Sequence, residues 1–257
     1  MNPPHLRSSD DDTLGEHTPS LELKTSADGS FSAYNAVFDE CYHSLKDGAL
    51  QESLYKHIIP AFSACENLEN MRILDICFGL GYNTLASLYY RQIHILPMNL
   101  HIYSPELDGS LLTNLIDFPY PEEFSHLPLR EIVCALRDRG IYEDAHTHIE
   151  VRLIDAREYV RQLPTESIDV VYQDAFSPKK NPELWSEEYF AQLYRILAPN
   201  GILTTYSQSA AIRKNALACG FVVYDCVHNE GLVRGGSVMS KHELALPHYR
   251  LKRYGTP

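Results

Sequence analysis

Residues Met71 to Thr84 constrain the fold more than any other stretch of the chain, because they combine a strand, a glycine turn and the start of a helix. The first half is a short apolar run typical of a buried parallel strand, and the apolar periodicity of Leu85 to Ile93 predicts a helix. Gly79 and Gly81 lie between them, where glycine lets the backbone adopt positive φ and approach a ligand closely. N–H groups at the helix start can then bind that ligand. An α/β fold with a nucleotide-like ligand follows.

The glycine spacing argues against a dinucleotide, because a NAD or FAD fingerprint needs a third glycine where Thr84 stands. Asp75, Gly79 and Gly81 instead resemble motif I of S-adenosylmethionine (SAM)-dependent methyltransferases, although Cys77 occupies the position of that motif's usual first glycine. The resemblance implies a Rossmann-like methyltransferase fold with SAM as cofactor, the alternative being an ordinary tight turn in a Rossmann-like sheet. The cofactor-binding residues that it implies in this loop are Asp75, Phe78, Gly79, Gly81 and Asn83.

The length of 257 residues, with 44% hydrophobic and 22% charged residues, suits one α/β domain with a small appendage. We expect a disordered tail over residues 1–20, a hairpin and helix extension over 21–66 with the helix broken at Pro60, and the methyltransferase domain over 67–257. The chain has neither an apolar run long enough for a membrane span nor a signal-peptide core, so we expect a cytoplasmic protein without membrane partners. The six cysteines form no metal-binding pattern, and we predict no metal site.

Acidic residues follow two further predicted strands. Glu106 lies 25 positions beyond Gly81, after a strand over residues 99–103, where nucleotide-binding sheets carry an acid for the ribose hydroxyls. Asp108 is the competing candidate, and a helix N-terminal acid is the alternative for either. Asp155 and Ala156 follow the strand over residues 148–154, and in methyltransferase-like sheets an acid there lies near the adenine. The alternative for Asp155 is a plain helix N-cap.

A second informative stretch runs from Ile168 to Trp185. Its near-continuous apolar strand delivers Asp174 to the carboxyl edge of the sheet, where open α/β folds bind ligands. The loop after it contains Pro178, Pro182 and the only tryptophan of the chain. A long and chemically distinctive loop of this kind favours a functional site over a simple connection.

The run D-A-F-S-P-K-K-N-P-E-L-W from Asp174 to Trp185, following D-I-C-F-G-L-G-Y-N-T, resembles the MnmC methyltransferase family, and the resemblance covers most of residues 25–245. That family completes 5-methylaminomethyl-2-thiouridine at the tRNA wobble position. The resemblance implies that Asp174 contacts the cofactor and catalyses methyl transfer to the amine of 5-aminomethyl-2-thiouridine. The substrate-binding residues that it implies are Phe176, Lys180, Asn181, Trp185, Tyr206, Arg213 and Arg234. The alternative for the aromatic residues is plain core packing, with Trp185 buttressing the loop, and the alternative for the basic residues is solvated surface charge.

The chain lacks the FAD-dependent oxidoreductase domain of the bifunctional members, so we expect a stand-alone methyltransferase that receives its amine from a separate oxidoreductase or modification enzyme. The net charge of −12 opposes general polyanion binding, but residues 151–257 carry 13 basic and 11 acidic side chains. A mildly basic face for tRNA is therefore expected in that part. Two alternatives stay open: an aminopropyltransferase of the polyamine-synthase type, and a non-catalytic RNA- or partner-binding module of the same fold.

Overall fold

The structure is a computed structural model that describes residues 21–255, so the tail predicted over residues 1–20 lies outside the described residues. A small antiparallel sheet comes first, made of β1 (Glu22–Thr25), β2 (Phe31–Asn35) and β3 (Glu40–Cys41). The Asp28 side chain accepts hydrogen bonds from Ser30 in the turn between β1 and β2. Such an aspartate turn fixes the register of a short hairpin.

The main sheet has nine strands in the spatial order β12-β10-β11-β9-β8-β4-β5-β7-β6. Their bounds are β4 (Asn70–Ile76), β5 (Asn99–Glu106), β6 (Ile141–Glu143), β7 (Thr147–Leu153), β8 (Ile168–Gln173), β9 (Leu197–Thr205), β10 (Val222–His228), β11 (Gly236–Ser240) and β12 (Tyr249–Arg253). Strands β9, β8, β4, β5 and β7 are parallel, whereas β6, β10, β11 and β12 pair antiparallel. The predicted α/β class with a parallel sheet is confirmed.

The helices are α1 (Ala49–Ser53), α2 (Ile59–Ala64), α3 (Tyr82–Ile93), α4 (Gly109–Asn114), α5 (Leu129–Arg139), α6 (Ala156–Gln162), α7 (Glu187–Ile196) and α8 (Ala210–Ala218). Short 3-10 turns cover Leu115–Asp117, Glu122–His126 and Pro182–Trp185. The main sheet separates two apolar clusters, since successive side chains of β4, Ile73 and Leu74, enter different ones. None of the helices within residues 21–255 has the length and apolar character that a membrane crossing requires.

Two local predictions were wrong. Pro60 does not break the first helical segment, because a π turn over Leu54–Ile58 connects α1 to α2. A proline cannot donate the hydrogen bond of an ordinary α turn, and the altered spacing just before it lets the helix continue. The strand predicted over residues 99–103 is longer than expected, since β5 continues to Glu106 through parallel pairing with β7.

The chain reverses its direction of travel across the sheet at β4, which lies between β5 and β8. Strands β5 and β7 extend the parallel sheet to one side, and β8 and β9 extend it to the other. In open α/β sheets, the crevice at such a reversal, beyond the carboxyl ends of the strands, is the usual ligand site. The glycine turn after β4 and Asp174 after β8 both lie at this point.

Candidate functional site

A cavity, here called the inner cavity, lies at the carboxyl ends of β4, β5, β7 and β8. Loops after these strands form its floor, and the small N-terminal sheet contributes its roof. The floor residues are Cys77, Phe78, Gly79, Glu106, Leu107, Asp108, Ile154, Asp155, Ala156, Asp174 and Phe176. The roof residues are Asn35, Phe38, Tyr42 and His43.

The glycine turn brings backbone rather than side chains to the cavity. Gly79 has a φ of +54°, and a Cβ there would lie 3.2 Å from the Tyr42 ring. Gly81 has a φ of +76° and supports the loop from outside the lining, with Phe78 packed against it. Cys77 has a φ of +66°, a left-handed conformation that is unfavourable for a residue with a side chain. The turn thus keeps glycine geometry even where a cysteine replaces the glycine.

Glu106 is a preorganised acceptor on the cavity floor. One carboxylate oxygen accepts from the backbone N–H of Gly79 at 2.9 Å, and the other accepts from those of Leu107 and Asp108 at 2.7 and 2.9 Å. Burial raises the pKa of Glu106, while these N–H groups counteract the rise. Asp108 also lines the cavity, but one of its oxygens caps α4 through Ser110. Glu106 is therefore the better-fixed of the two ribose candidates.

Asp155 and Ala156 lie on the cavity floor beyond β7. Asp155 caps α6 through the N–H of Arg157, and the guanidinium of Arg157 pairs with the same carboxylate at 2.5 Å. These Arg157 contacts lower the pKa of Asp155. Asp155 thus both caps α6, as the alternative expected, and lines the cavity.

Asp75 lies behind the cavity, not in its lining. It is 1% exposed, and its carboxylate accepts from the Thr84 hydroxyl at 2.8 Å and faces the Asn83 amide at 3.4 Å. Burial raises the pKa of Asp75 to about 8, and the neighbouring Asp174 adds to the rise. The expected direct contact of Asp75 with the cofactor is therefore corrected to a supporting role, because its carboxylate fixes the start of α3.

Asp174 lies at the centre of the site, and its side chain is 8% exposed. One carboxylate oxygen accepts from the Asn83 amide at 2.8 Å, and the other lies 3.5 Å from Nε2 of His57. Burial opposes ionisation, but the charges of His57 and His43 and the hydrogen bonds outweigh it and lower the pKa of Asp174. Asp174 is therefore the anion of the site, whereas Asp75 stays protonated near neutral pH.

A second cavity, here called the outer cleft, meets the inner cavity at Asp174. The residues lining both are Tyr42, His43, Asp174 and Phe176. The outer cleft is further lined by Glu40, Glu52, Lys56, Tyr206, Gln208 and Arg234. A group in the outer cleft and one in the inner cavity can thus approach each other only beside this carboxylate and its aromatic neighbours.

The loop after β8 is attached to the N-terminal sheet. Ser177 donates its hydroxyl to Glu40 at 2.7 Å, and Lys180 pairs with Asp39 at 2.9 Å. Phe176 stacks on Phe38 with ring centroids 4.5 Å apart, so one of its faces is occupied. The loop therefore closes over the junction of the two cavities.

Three predicted substrate-binding residues of this loop have different surroundings from those expected. Trp185 is 2% exposed and donates its indole N–H to the Phe176 carbonyl at 2.8 Å, so it buttresses the loop and offers no stacking face. Asn181 lines the inner cavity, and its buried Oδ1 has no hydrogen-bond partner within residues 21–255. Lys180 is engaged by Asp39 outside both linings.

The predicted substrate-binding residues of the C-terminal part differ in position, since two line the outer cleft and one is buried away from it. Tyr206 lines the outer cleft, with its hydroxyl donating to the Ala175 carbonyl at 3.0 Å. Arg234 lines the same cleft with a side chain that is 60% exposed and pairs with Asp47. Arg213 is buried, because its guanidinium pairs with Asp225 at 2.5 Å and its Nε donates to Ser237 at 2.9 Å. The expectation that Arg213 contacts tRNA is therefore corrected, since it joins α8 to the sheet.

Sequence reasoning missed the contribution of the N-terminal extension. Tyr42, His43 and His57 all face Asp174 or line the two cavities, yet they lie over 110 residues before it in the chain. His57 sits in the apolar stripe of the first helical segment and resembles an ordinary core residue there. The burial of the neighbouring ionisable residues His43, Glu52 and Lys56, which distinguishes this segment, is visible only in the structure.

Comparison with known proteins identifies the chain. A crystal structure of MnmC2 from Aquifex aeolicus superimposes with a TM-score of 0.74 at 33% identity, covering 89% of this chain and 72% of that one. The chain belongs to the MnmC methyltransferase family. A family model described as S-adenosyl-L-methionine-dependent methyltransferase matches residues 122–229. The cofactor of this MnmC-family chain is S-adenosylmethionine, and the predicted Rossmann-like methyltransferase fold is confirmed.

Two curated relatives are longer than the chain. An uncharacterised protein of Methanocaldococcus jannaschii is 34% identical over 205 residues, which are 78% of this chain and 54% of that protein. The tRNA 5-methylaminomethyl-2-thiouridine biosynthesis bifunctional protein MnmC of Pseudomonas fluorescens is 29% identical over 197 residues, which are 72% of this chain and 30% of that protein. The MnmC-family chain thus spans about half of one relative and under a third of the other.

The inner cavity fits S-adenosylmethionine by its chemistry. Glu106 offers a fixed carboxylate for the ribose hydroxyls, and the glycine turn leaves space where a Cβ at Gly79 would crowd Tyr42. Asn83 and Asn181 each line the cavity with a buried Oδ1 that has no partner among the described residues. Buried acceptors without a partner are uncommon, and two donors of the cofactor can satisfy them.

We predict that Glu106→Ala weakens S-adenosylmethionine binding by about 10- to 100-fold, because a charge-assisted contact is worth roughly 1.5–3 kcal/mol. Titration calorimetry measures the effect. Asp108→Ala is the matched control, which costs about 1 kcal/mol of stability through the lost cap and leaves affinity nearly unchanged. A larger affinity loss in Asp108→Ala than in Glu106→Ala would assign the ribose contact to Asp108.

We predict that Asp75→Asn flattens the pH dependence of stability. The pKa of Asp75 rises from about 3.9 in the unfolded chain to about 8 in the folded one. The folded state alone therefore keeps the proton between these values, and stability from this group is lost as the pH rises towards 8. From pH 5 to pH 8, the unfolding free energy of the wild type should fall, relative to that of Asp75→Asn, by on the order of 1 kcal/mol per pH unit. Urea unfolding measures it, and a constant difference across this range would contradict the assignment.

Proposed function

We propose that the chain transfers the methyl group of S-adenosylmethionine to the primary amine of 5-aminomethyl-2-thiouridine at the tRNA wobble position, giving 5-methylaminomethyl-2-thiouridine. The observation that carries the proposal is the meeting of the inner cavity and the outer cleft at Asp174. Family membership supports it, and so does the biosynthetic role for which the bifunctional MnmC relative is named. One cavity suits the cofactor, and the other is open to a large substrate.

The acidic lining of the outer cleft suits an amine. Glu40, Glu52 and Asp174 contribute three carboxylates, and Lys56 pairs with Glu52 at 2.8 Å. A primary amine of ordinary basicity arrives as an ammonium ion, which a carboxylate attracts and orients. These carboxylates are unfavourable for a phosphate, whereas the exposed Arg234 attracts one. We therefore infer that the nucleoside side chain enters the cleft while the RNA backbone stays at its rim.

S-adenosylmethionine supplies an electrophilic methyl group, which requires a neutral amine nitrogen with a free lone pair. The Asp174 carboxylate accepts a hydrogen bond from that nitrogen and aligns it, a contribution that is realised in the transition state. Because His57 and His43 hold the pKa of Asp174 low, the carboxylate is a weak base whose main contribution is orientation and charge. The ammonium proton passes to Asp174 only transiently and leaves through the outer cleft.

The central test is incubation of the purified protein with labelled S-adenosylmethionine and tRNA bearing 5-aminomethyl-2-thiouridine, followed by nucleoside analysis. We predict that Asp174→Asn lowers kcat by on the order of 10²-fold or more, because size is kept while charge and basicity are lost. The cofactor Kd should change far less than kcat. Raising the pH should partly rescue the variant, because more of the substrate amine is then neutral.

Two outcomes would count against this assignment. A wild-type protein that binds S-adenosylmethionine but labels no 5-aminomethyl-2-thiouridine would contradict the proposed substrate. A folded Asp174→Asn variant with near-normal kcat at pH 7 would make Asp174 structural.

We predict that Arg234→Ala raises the KM for tRNA several-fold and lowers the salt dependence of tRNA binding by about one phosphate contact. Arg234 lines the outer cleft and is mostly exposed, although Asp47 accepts from it. Arg130→Ala is the matched control, since Arg130 is also exposed and paired with an aspartate, at 3.0 Å from Asp117, but lines neither cavity. Steady-state kinetics measure the KM of each variant, and filter binding at several salt concentrations measures the salt dependence. Equal effects of the two substitutions would indicate a general charge effect.

A further inference from the structure

The surroundings of His57 differ from those of an ordinary core histidine. It is fully buried, and it projects from the π turn Leu54–Ile58, a local widening of a helix that often marks a functional position. Its Nε2 lies 3.5 Å from the Asp174 carboxylate and has no closer polar partner within residues 21–255. That distance allows an ion pair and is just beyond a strong hydrogen bond.

The other ring nitrogen of His57 is fixed from the opposite side. Nδ1 and the hydroxyl of Thr204, at the end of β9, are 2.9 Å apart, and both groups are buried. The ring also packs edge-on against Tyr172 at 5.6 Å between centroids. Two contacts therefore set the ring plane, so that Nε2 can point only towards Asp174.

The Asp174 carboxylate is thus held between two groups. Asn83 donates to one oxygen from α3, and His57 approaches the other from the π turn. A side chain restrained at both oxygens keeps a single orientation towards the junction of the inner cavity and the outer cleft. This restraint is what a group that aligns a reacting amine requires.

We propose that His57 is a positioning residue, which orients and charges the Asp174 carboxylate from behind while Thr204 fixes the imidazole. The inference rests on the proposed methyl transfer for its consequence in catalysis, but the His57–Asp174 coupling belongs to the protein alone. His57 is too buried to touch a substrate, and it acts only through Asp174. It lowers the pKa of Asp174 against the effect of burial, so the carboxylate stays ionised when the ammonium arrives.

Several other titratable groups surround the pair. Besides His57, the groups that interact electrostatically with Asp174 are His43, Asp75, Cys77 and Tyr206, and His43 interacts in turn with Glu52 and Asp28. Of these, His43 also lowers the pKa of Asp174, although burial lowers the pKa of His43 itself. A test must therefore separate the effect of His57 from that of His43.

The first arm of the test needs neither cofactor nor tRNA. Carbon-detected NMR of protein labelled at its aspartate carboxyls, assigned with Asp174→Asn, follows the titration of Asp174. His57→Phe should raise its midpoint by about one to three pH units, the usual range for loss of an adjacent opposite charge. His57→Gln keeps a donor near the position of Nε2 and should raise it less. His43→Phe should also raise it less.

Thr204→Val keeps the His57 ring and therefore provides a second test if the His57→Phe variant does not fold. It should shift the Asp174 midpoint in the same direction by a smaller amount, because the ring loses its second anchor. His148→Gln serves as the surface control, since His148 contacts Glu143 far from the site and should leave the midpoint unchanged. An unchanged Asp174 midpoint in folded His57→Phe, or in Thr204→Val where His57→Phe fails to fold, would overturn the proposal.

The second arm measures kcat against pH with the tRNA substrate. His57→Phe should lower kcat by on the order of 10- to 100-fold at neutral pH, with its acidic limb moved to higher pH. The cofactor Kd should be unchanged, and His57→Gln should recover much of the loss. A lowered kcat with an unmoved acidic limb would overturn the positioning role. If the NMR coupling holds but the wild type methylates no tRNA, only the proposed substrate fails.

Discussion

The amide of Asn83 joins two buried carboxylates, and the geometry of the site depends on that link. It donates to Asp174 at 2.8 Å and faces Asp75 at 3.4 Å, at the carboxyl ends of the adjacent strands β8 and β4. Two like charges this close in a buried site do not both stay ionised. Here the environments separate them, since the pKa of Asp75 is about 8 while His57 lowers that of Asp174. One carboxylate becomes structural, and the other keeps the charge for chemistry.

The N-terminal extension completes this arrangement from the opposite side. Tyr42 covers the glycine turn, His43 lines both cavities, and His57 approaches Asp174 from behind. The extension is attached to the loop after β8 by Glu40 and Asp39. The sheet alone therefore offers a cofactor crevice, and the extension adds a roof to that crevice and helps to form the adjoining outer cleft.

Local patterns predicted the parts of the site that a strand and its following turn determine. The strand, glycine turn and helix from Met71 onwards gave the cofactor crevice, and Glu106, Asp155 and Asp174 all line it. Residue type alone did not reveal orientation. Trp185 and Arg213 look like recognition residues in the sequence, but each is buried, with a nearby carbonyl or carboxylate accepting its N–H groups. Such partners depend on tertiary contacts between distant segments, which periodicity and spacing do not encode.

The local charge at the outer cleft matters more for binding than the net charge of −12. At physiological salt, interactions between exposed charges fade beyond about 8 Å, so a docking polyanion responds mainly to the groups at the contact. Arg234 is mostly exposed on the outer cleft, and Asp47 beneath it is itself neutralised by the buried Lys56. Burial opposes ionisation, but the bonds from Arg234 and Lys56 lower the pKa of Asp47 to about 2. Lys56 also pairs with Glu52, so this cluster carries two cations against two anions, and Arg234 is the member exposed at the rim, with the Asp174 carboxylate farther inside the cleft. A substrate with a phosphate backbone and a cationic side chain matches that order of charges, whereas a small polyamine has no group for the rim.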